Sequence, residues 1–210
     1  MARSKSSSAW LKRHVNDPYV RKASAQGYRA RSAFKLLEIV QREGLALIGH
    51  TVVDLGAAPG GWSQVLAQRV GGAGKVIALD LLEVAPIPGV AIIRGDFGDD
   101  GVLKQLEEVL AGRKVDLVVS DMAPNITGVR ATDQARSIHL CELALDFAQS
   151  HLNPRGALLV KAFQGSGYPE FLAAMRKAFV TVASKKPGAS RDESKEMYLL
   201  GKSLRSSTVP

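Results

Sequence analysis

The chain has 210 residues, 46% apolar and 23% charged, which suffices for one sizeable core, and it lacks the run of roughly 18 apolar residues that a membrane span requires. A single cysteine, Cys141, excludes an internal disulfide framework, and His14, His50, His139 and His151 show no ligand spacing with it or with one another, so no metal site is expected. The net charge of +8 is concentrated: residues up to Lys35 hold nine of the 28 bases and one of the 20 acids, leaving 19 of each for the other 175 residues, a neutral body with an end suited to a polyanion or to a basic address label.

In chain order, residues 1–30 are rich in Ser, Arg and Lys, with Trp10, Tyr19 and Tyr28 interspersed. They contain no continuous apolar stretch of the kind that marks a secretory signal, and their composition taken alone allows a solvated tail. From Ser32, apolar residues at Phe34, Leu37 and Val40, widened by Leu36 and Ile39, predict a helix with Ser32 as its N-cap and Gly44 as its stop. Strand-like runs follow at 51–56, 75–80, 90–96, 115–121 and 156–163, rich in Val, Ile and Leu with little polar alternation, as expected of strands buried on both faces. Between them Gly61–Val70, Gly101–Ala111 and Thr132–Leu152 are long enough for crossover helices, the alternation typical of a doubly wound α/β fold. After a helix near Pro169–Ala178, two runs at 179–186 and 197–204 with no helix between them predict an antiparallel ending to the sheet. The division expected is a basic extension over 1–30, one domain over 31–205 and a tail over 206–210.

Chemistry concentrates at the strand ends. VVDLGAAPGGW (52–62) forms a strand-to-helix turn whose glycines at 56, 60 and 61 let the backbone approach a ligand. It lacks the G-x-G-x-x-G spacing of a dinucleotide site, which disfavours a nicotinamide-dependent oxidoreductase. Asp80 ends the next strand, where an acid can accept hydrogen bonds from ribose hydroxyls, and Asp96 follows the third, where it can meet an adenine amino group. Each acid alone reads as readily as a turn former or helix cap. Together, Asp54, Asp80 and Asp96 at successive junctions around GAAPGG resemble the S-adenosylmethionine site of Rossmann-like methyltransferases, with Asp54 toward the methionine end and Trp62 either core or cofactor contact.

A second constellation comprises SDMAPN (120–125), VKAFQG (160–165) and SKEMYL (194–199). Lys161 stands in an otherwise apolar strand, and a buried ammonium needs an acidic partner or a chemical role. Ligands of open α/β sheets bind outside the carboxyl ends of the strands, which brings Asp121 and Lys161 together. Glu196, opening an antiparallel strand, enters at the same edge, and Lys35 on the helix before the first strand can fold over it.

These strings, with SSSAWL and GYRARSAFKLLEI, run over nearly the whole length, and on them the chain resembles the FtsJ-type ribosomal RNA 2′-O-ribose methyltransferases of bacteria. Glu83, Val84 and Lys195 depart from the family pattern. The resemblance implies a Rossmann-like fold with a mostly parallel seven-stranded sheet, an antiparallel last strand and helices on both faces. It implies S-adenosylmethionine as cofactor, held by Gly56, Gly60, Trp62, Asp54, Asp80, Asp96 and Asp121, and a catalytic set of Lys35, Asp121, Lys161 and Glu196. Lys161 would accept the proton of the ribose 2′-hydroxyl, or as an ammonium would orient the oxygen and stabilise its developing charge. The implied substrate is a uridine in the A loop of 23S ribosomal RNA within the 50S subunit, methylated by a cytoplasmic monomer without metal or membrane. The basic end would then neutralise phosphates and stack bases. Alternatives are a 2′-O-methyltransferase of transfer RNA or an mRNA cap, and a non-catalytic RNA-binding assembly factor. A mitochondrial address in the Arg/Ser-rich start is disfavoured because the resemblance runs through residues 6–35.

Overall fold

The computed structural model describes residues 17–191 and 194–205; Trp10 and the bases Arg3, Lys5, Lys12 and Arg13 of the expected RNA-binding extension lie outside them, as does the expected tail over 206–210. Two helices open the described chain, α1 (Pro18–Ala25) and α2 (Ala33–Glu43). The remaining elements are β1 (Thr51–Leu55), α3 (Gly61–Val70), β2 (Lys75–Asp80), β3 (Val90–Arg94), α4 (Asp100–Leu110), β4 (Val115–Ser120), α5 (Arg130–His151), β5 (Leu152–Phe163), α6 (Tyr168–Ala178), β6 (Phe179–Lys185) and β7 (Glu196–Leu204).

All seven strands form one sheet in the order β3-β2-β1-β4-β5-β7-β6. Pairings from β3 to β5 are parallel, and β7 runs antiparallel to both neighbours. The expected antiparallel ending is therefore present, with the last strand inserted between β5 and β6 and β6 left at the edge. Alternating residues along each central strand feed opposite faces. Val53, Ile77, Val118 and Leu158 pack with α4, α5 and α6, whereas Val52, Val76, Leu117 and Leu159 pack with α2 and α3. Both faces are covered, which is why these strands read as continuous apolar runs.

The N-terminal segment departs from two sequence expectations. Residues 17–30 are not a solvated tail: Asp17 caps α1 through Oδ1, which accepts the Tyr19 amide at 3.0 Å, and Asp17 also pairs with Arg31. Ala23, Phe34 and Ala189 bury against one another beneath Tyr19 and Tyr28, so α1 is held onto α2 and the stretch before β7. Ser32 does not cap α2. Its backbone is already helical (φ −60°, ψ −21°), because the amides of Ala33 and Phe34 turn back onto the Ala30 and Arg31 carbonyls at 3.2 Å each. Gly44 does end the helix, at φ +64°, the left-handed conformation that glycine adopts without steric cost.

Candidate active site

At the switch point between β1 and β4, where strand order reverses, the carboxyl edge of the sheet opens into a cleft of about 970 Å³. The carboxylates of Asp80, Asp96, Asp99 and Asp121 line it, with Arg136 and His139 of α5 also on the wall. Gly56 forms part of the floor at φ +77°, and a Cβ there would lie 2.7 Å from the Met122 backbone nitrogen. No side chain fits between these two loops. Among the described residues no three His, Cys, Asp or Glu side chains converge as a metal site, and no helix is long and apolar enough to cross a membrane.

Asp80 and Asp96 line the cleft and also shape their own turns. Asp80 accepts the Ala58 amide on Oδ2 at 2.8 Å and the Leu82 amide on Oδ1 at 2.7 Å. Asp96 accepts the Gly98 amide on Oδ1 at 2.9 Å. A carboxylate has lone pairs enough for such bonds and for a ligand hydroxyl or amine together, so the turn-forming role leaves room for the ligand-binding one.

Three residues expected to touch a cofactor do not line the cleft wall. Trp62 is 3% exposed in the core beneath α2, packs on Tyr198 with centroids 5.7 Å apart and donates its indole N–H to the Ser32 carbonyl at 2.8 Å. Gly60 turns at φ +109°, with the space a Cβ would take already filled by Ile87 and Arg29. Asp54 is fully buried, taking the Ser63 hydroxyl on Oδ2 at 2.6 Å, while its Oδ1 has no partner. Burial, partly countered by that hydroxyl, pushes its carboxyl up to about 7. These three support the loop and the start of α3 from behind: Asp54 because it stands inside β1, two places before Gly56, Trp62 and Gly60 because of their contacts with Ser32 and with Ile87 and Arg29.

The four expected catalytic side chains do converge. β4 and β5 align Ser120 with Val160, so Asp121 and Lys161 emerge side by side. The Lys161 ammonium nitrogen lies 3.1 Å from Asp121 Oδ1 and donates to the Asp121 carbonyl at 2.5 Å. Lys35 donates to Glu196 Oε1 at 2.6 Å, and the same oxygen accepts the Ser190 hydroxyl at 3.2 Å. Tyr198 joins the two pairs: its hydroxyl donates to Asp121 Oδ1 at 3.0 Å and accepts from Lys35 at 3.5 Å. Burial, reinforced by the Asp121 and Glu196 carboxylates, raises its phenol well above the usual value, so it stays a donor. Sequence reasoning assigned Tyr198 no role, although strand alternation placed it on the face of Glu196, and the register sets it opposite Lys161.

The FtsJ-like methyltransferase family matches this chain over residues 28–204. Ribosomal RNA large subunit methyltransferase E of Azoarcus sp. (strain BH72) is 58% identical over 205 residues, covering 98% of this chain and all of the relative. The protein of that name from Neisseria meningitidis serogroup C is 56% identical over 97% of this chain and 98% of its own. A ribosomal RNA methyltransferase structure from Plasmodium falciparum superposes with a TM-score of 0.76 at 29% identity, covering 84% of this chain and 98% of that one.

Two expectations follow from the geometry. Because Tyr198 links Lys35 to Asp121, Tyr198→Phe and Lys35→Met will be non-additive in urea unfolding, with a coupling of about 0.5–3 kcal/mol; strict additivity would remove the hydroxyl as a bridge. Asp54 titrates near 7 when folded and near 3.9 when unfolded, so the folded state binds its proton more tightly. The stability this adds is complete below about pH 4 and lost as pH rises toward 7. Relative to Asp54→Asn, the native chain will therefore lose about 1.4 kcal/mol per pH unit across that window; a pH-independent difference between the two proteins would contradict it.

Proposed function

The chain belongs to the FtsJ-like methyltransferase family, and from that premise we propose that it methylates a uridine ribose 2′-hydroxyl of 23S ribosomal RNA, using S-adenosylmethionine. The observation that carries the reading is the double position of Asp121. Its carboxylate stands in the cleft wall and on Lys161 and Tyr198 of the polar network, so whatever fills the cleft meets the lysines at one shared corner. Relatives named for large-subunit ribosomal RNA methylation at 56–58% identity over almost the full length support the substrate class.

The residues present fit the cofactor. Four carboxylates around the cleft suit a ligand with ribose hydroxyls, an amine and positive charge. S-adenosylmethionine supplies, when bound, a methyl group on a sulfonium, whose leaving group is a neutral thioether.

The chain's own residues position the oxygen and receive its proton. A ribose hydroxyl is a poor nucleophile, so alignment contributes much of the acceleration. Lys161, 8% exposed, rests as an ammonium on two Asp121 oxygens; the neutral amine it becomes on giving one proton to solvent is the group that takes the 2′-hydroxyl proton as the new O–C bond forms and the methyl group's bond to sulfur breaks. Lys35, fixed by Glu196 and Tyr198, supplies the second positive centre for charge developing on the oxygen. Glu196 touches Lys35 and Ser190 and acts through them as a positioning residue. The base-rich N-terminus holds the RNA backbone, and the protein works as a cytoplasmic monomer on the 50S subunit.

The deciding experiment is tritiated methyl transfer to 50S subunits from cells lacking this protein, with parallel reactions on naked ribosomal RNA and on transfer RNA, followed by mapping of the labelled nucleotide. Label is expected on the ribose of one 23S uridine, and Lys161→Ala is expected to lower the rate by at least about 10²-fold with unchanged S-adenosylmethionine affinity. Label on a base or confined to transfer RNA would overturn the substrate, and no transfer with tight RNA binding would favour the non-catalytic assembly factor. Deleting residues 1–16 removes Arg3, Lys5, Lys12 and Arg13 and is expected to flatten the salt dependence of RNA binding by about three in log–log slope without changing cofactor affinity. Equal loss of both affinities would count against the extension as an RNA grip.

A further inference from the structure

Arg29 lies in the base-rich stretch and is exposed, yet its guanidinium hydrogen-bonds backbone carbonyls of the body of the protein. Nη1 donates to the Ala85 carbonyl at 2.6 Å and the Pro59 carbonyl at 3.3 Å, and Nη2 to the Pro86 carbonyl at 2.8 Å. Pro59 belongs to the turn from β1 into α3, whereas Ala85 and Pro86 belong to the stretch between β2 and β3. The same two segments are joined from the inside by Asp80, which holds the Ala58 and Leu82 amides.

The arm that carries Arg29 is itself anchored. Gln64 on α3 accepts the Arg29 amide at 2.9 Å and donates to the Gly27 carbonyl at 3.0 Å. Gly60 leaves the room the guanidinium occupies: a Cβ there would lie 2.9 Å from Arg29 Nη1. Beneath the clamp, Ala57, Val84 and Ile87 bury a small apolar cluster of their own. Three carbonyls from two segments satisfy a forked cation with charge-assisted hydrogen bonds, a geometry that the point charge of a lysine does not reproduce.

We propose that Arg29 is a positioning residue for the methyl-donor cleft, clamping the two loops that Asp80 bridges, and that it is not one of the bases that hold RNA phosphate. The proposal rests on the reading of the cleft as the S-adenosylmethionine site. It makes the chain between α1 and α2 part of the cofactor pocket's frame, so the boundary between RNA grip and methyltransferase body falls on the N-terminal side of Arg29.

The test uses the full chain with Arg29→Ala and Arg29→Lys. S-adenosylhomocysteine binding is measured by calorimetry without RNA, and binding of a 23S A-loop fragment is followed against salt. The clamp predicts about tenfold weaker S-adenosylhomocysteine binding in both variants, an unchanged salt slope for RNA, and faster hydrogen exchange at the Ala58 and Leu82 amides at unchanged urea midpoint. Unchanged S-adenosylhomocysteine affinity, with a salt slope lower by about one, would make Arg29 a phosphate contact and overturn the proposal. If the native protein does not bind S-adenosylhomocysteine, the cofactor reading fails, and exchange at Ala58 and Leu82 still decides the clamp: native rates in both variants would refute it.

Discussion

An ammonium group in the apolar strand β5 imposes the constraint around which the site is arranged. Lys161 is flanked by Val160 and Ala162, both fully buried, and an unpaired charge there would cost several kcal/mol. Asp121 meets that demand with a carboxylate and a carbonyl oxygen. The carboxylate needs further donors in turn, which Tyr198 supplies, and Tyr198 brings in Lys35 and, through it, Glu196. One buried charge thus recruits a network of alternating sign from β4, β5, β7 and α2.

The sheet makes this economical. Parallel pairing of β4 with β5 places Asp121 and Lys161 at the same edge, and antiparallel pairing of β7 with β5 delivers Glu196 and Tyr198 to that edge from the opposite chain direction. Each strand's alternate residues meanwhile build the two apolar layers. The reversal of strand order beside Asp121 opens the cleft where its carboxylate is already required, so the cleft and the lysine network share a wall without further elements.

Legibility in the sequence followed the range of the interaction. The seven strands, their crossover helices and the antiparallel ending were readable because periodicity and turn residues are local. Asp80, Asp96, Asp121, Lys161, Glu196 and Lys35 were placed correctly at one edge because strand ends share it in any doubly wound sheet. Ser32 misled: it looks like a cap, but whether its hydroxyl is used depends on the backbone of Ala30 and Arg31, which turns before it. Trp62 and Gly60 sit in the glycine-rich turn after β1, and what they touch, Ser32 and Arg29, lies some thirty positions away in the chain.

The sequence alone sufficed for the fold class, the order of elements from the helix at Ser32 onward, the neutral body with a basic end, and which acids and lysines gather at the carboxyl edge of the sheet. Each of these follows from local pattern and from the geometry common to parallel sheets. Only the tertiary structure decided what those groups touch: that Tyr198 links the two lysine pairs, that Asp54 lies sealed beneath the loop with one unpartnered oxygen, and that residues 17–30 pack on the body. It also gave Arg29 its partners, since a base's formal charge is the same whether an exposed guanidinium is open on all sides or, like that of Arg29, donates to three carbonyls of distant loops.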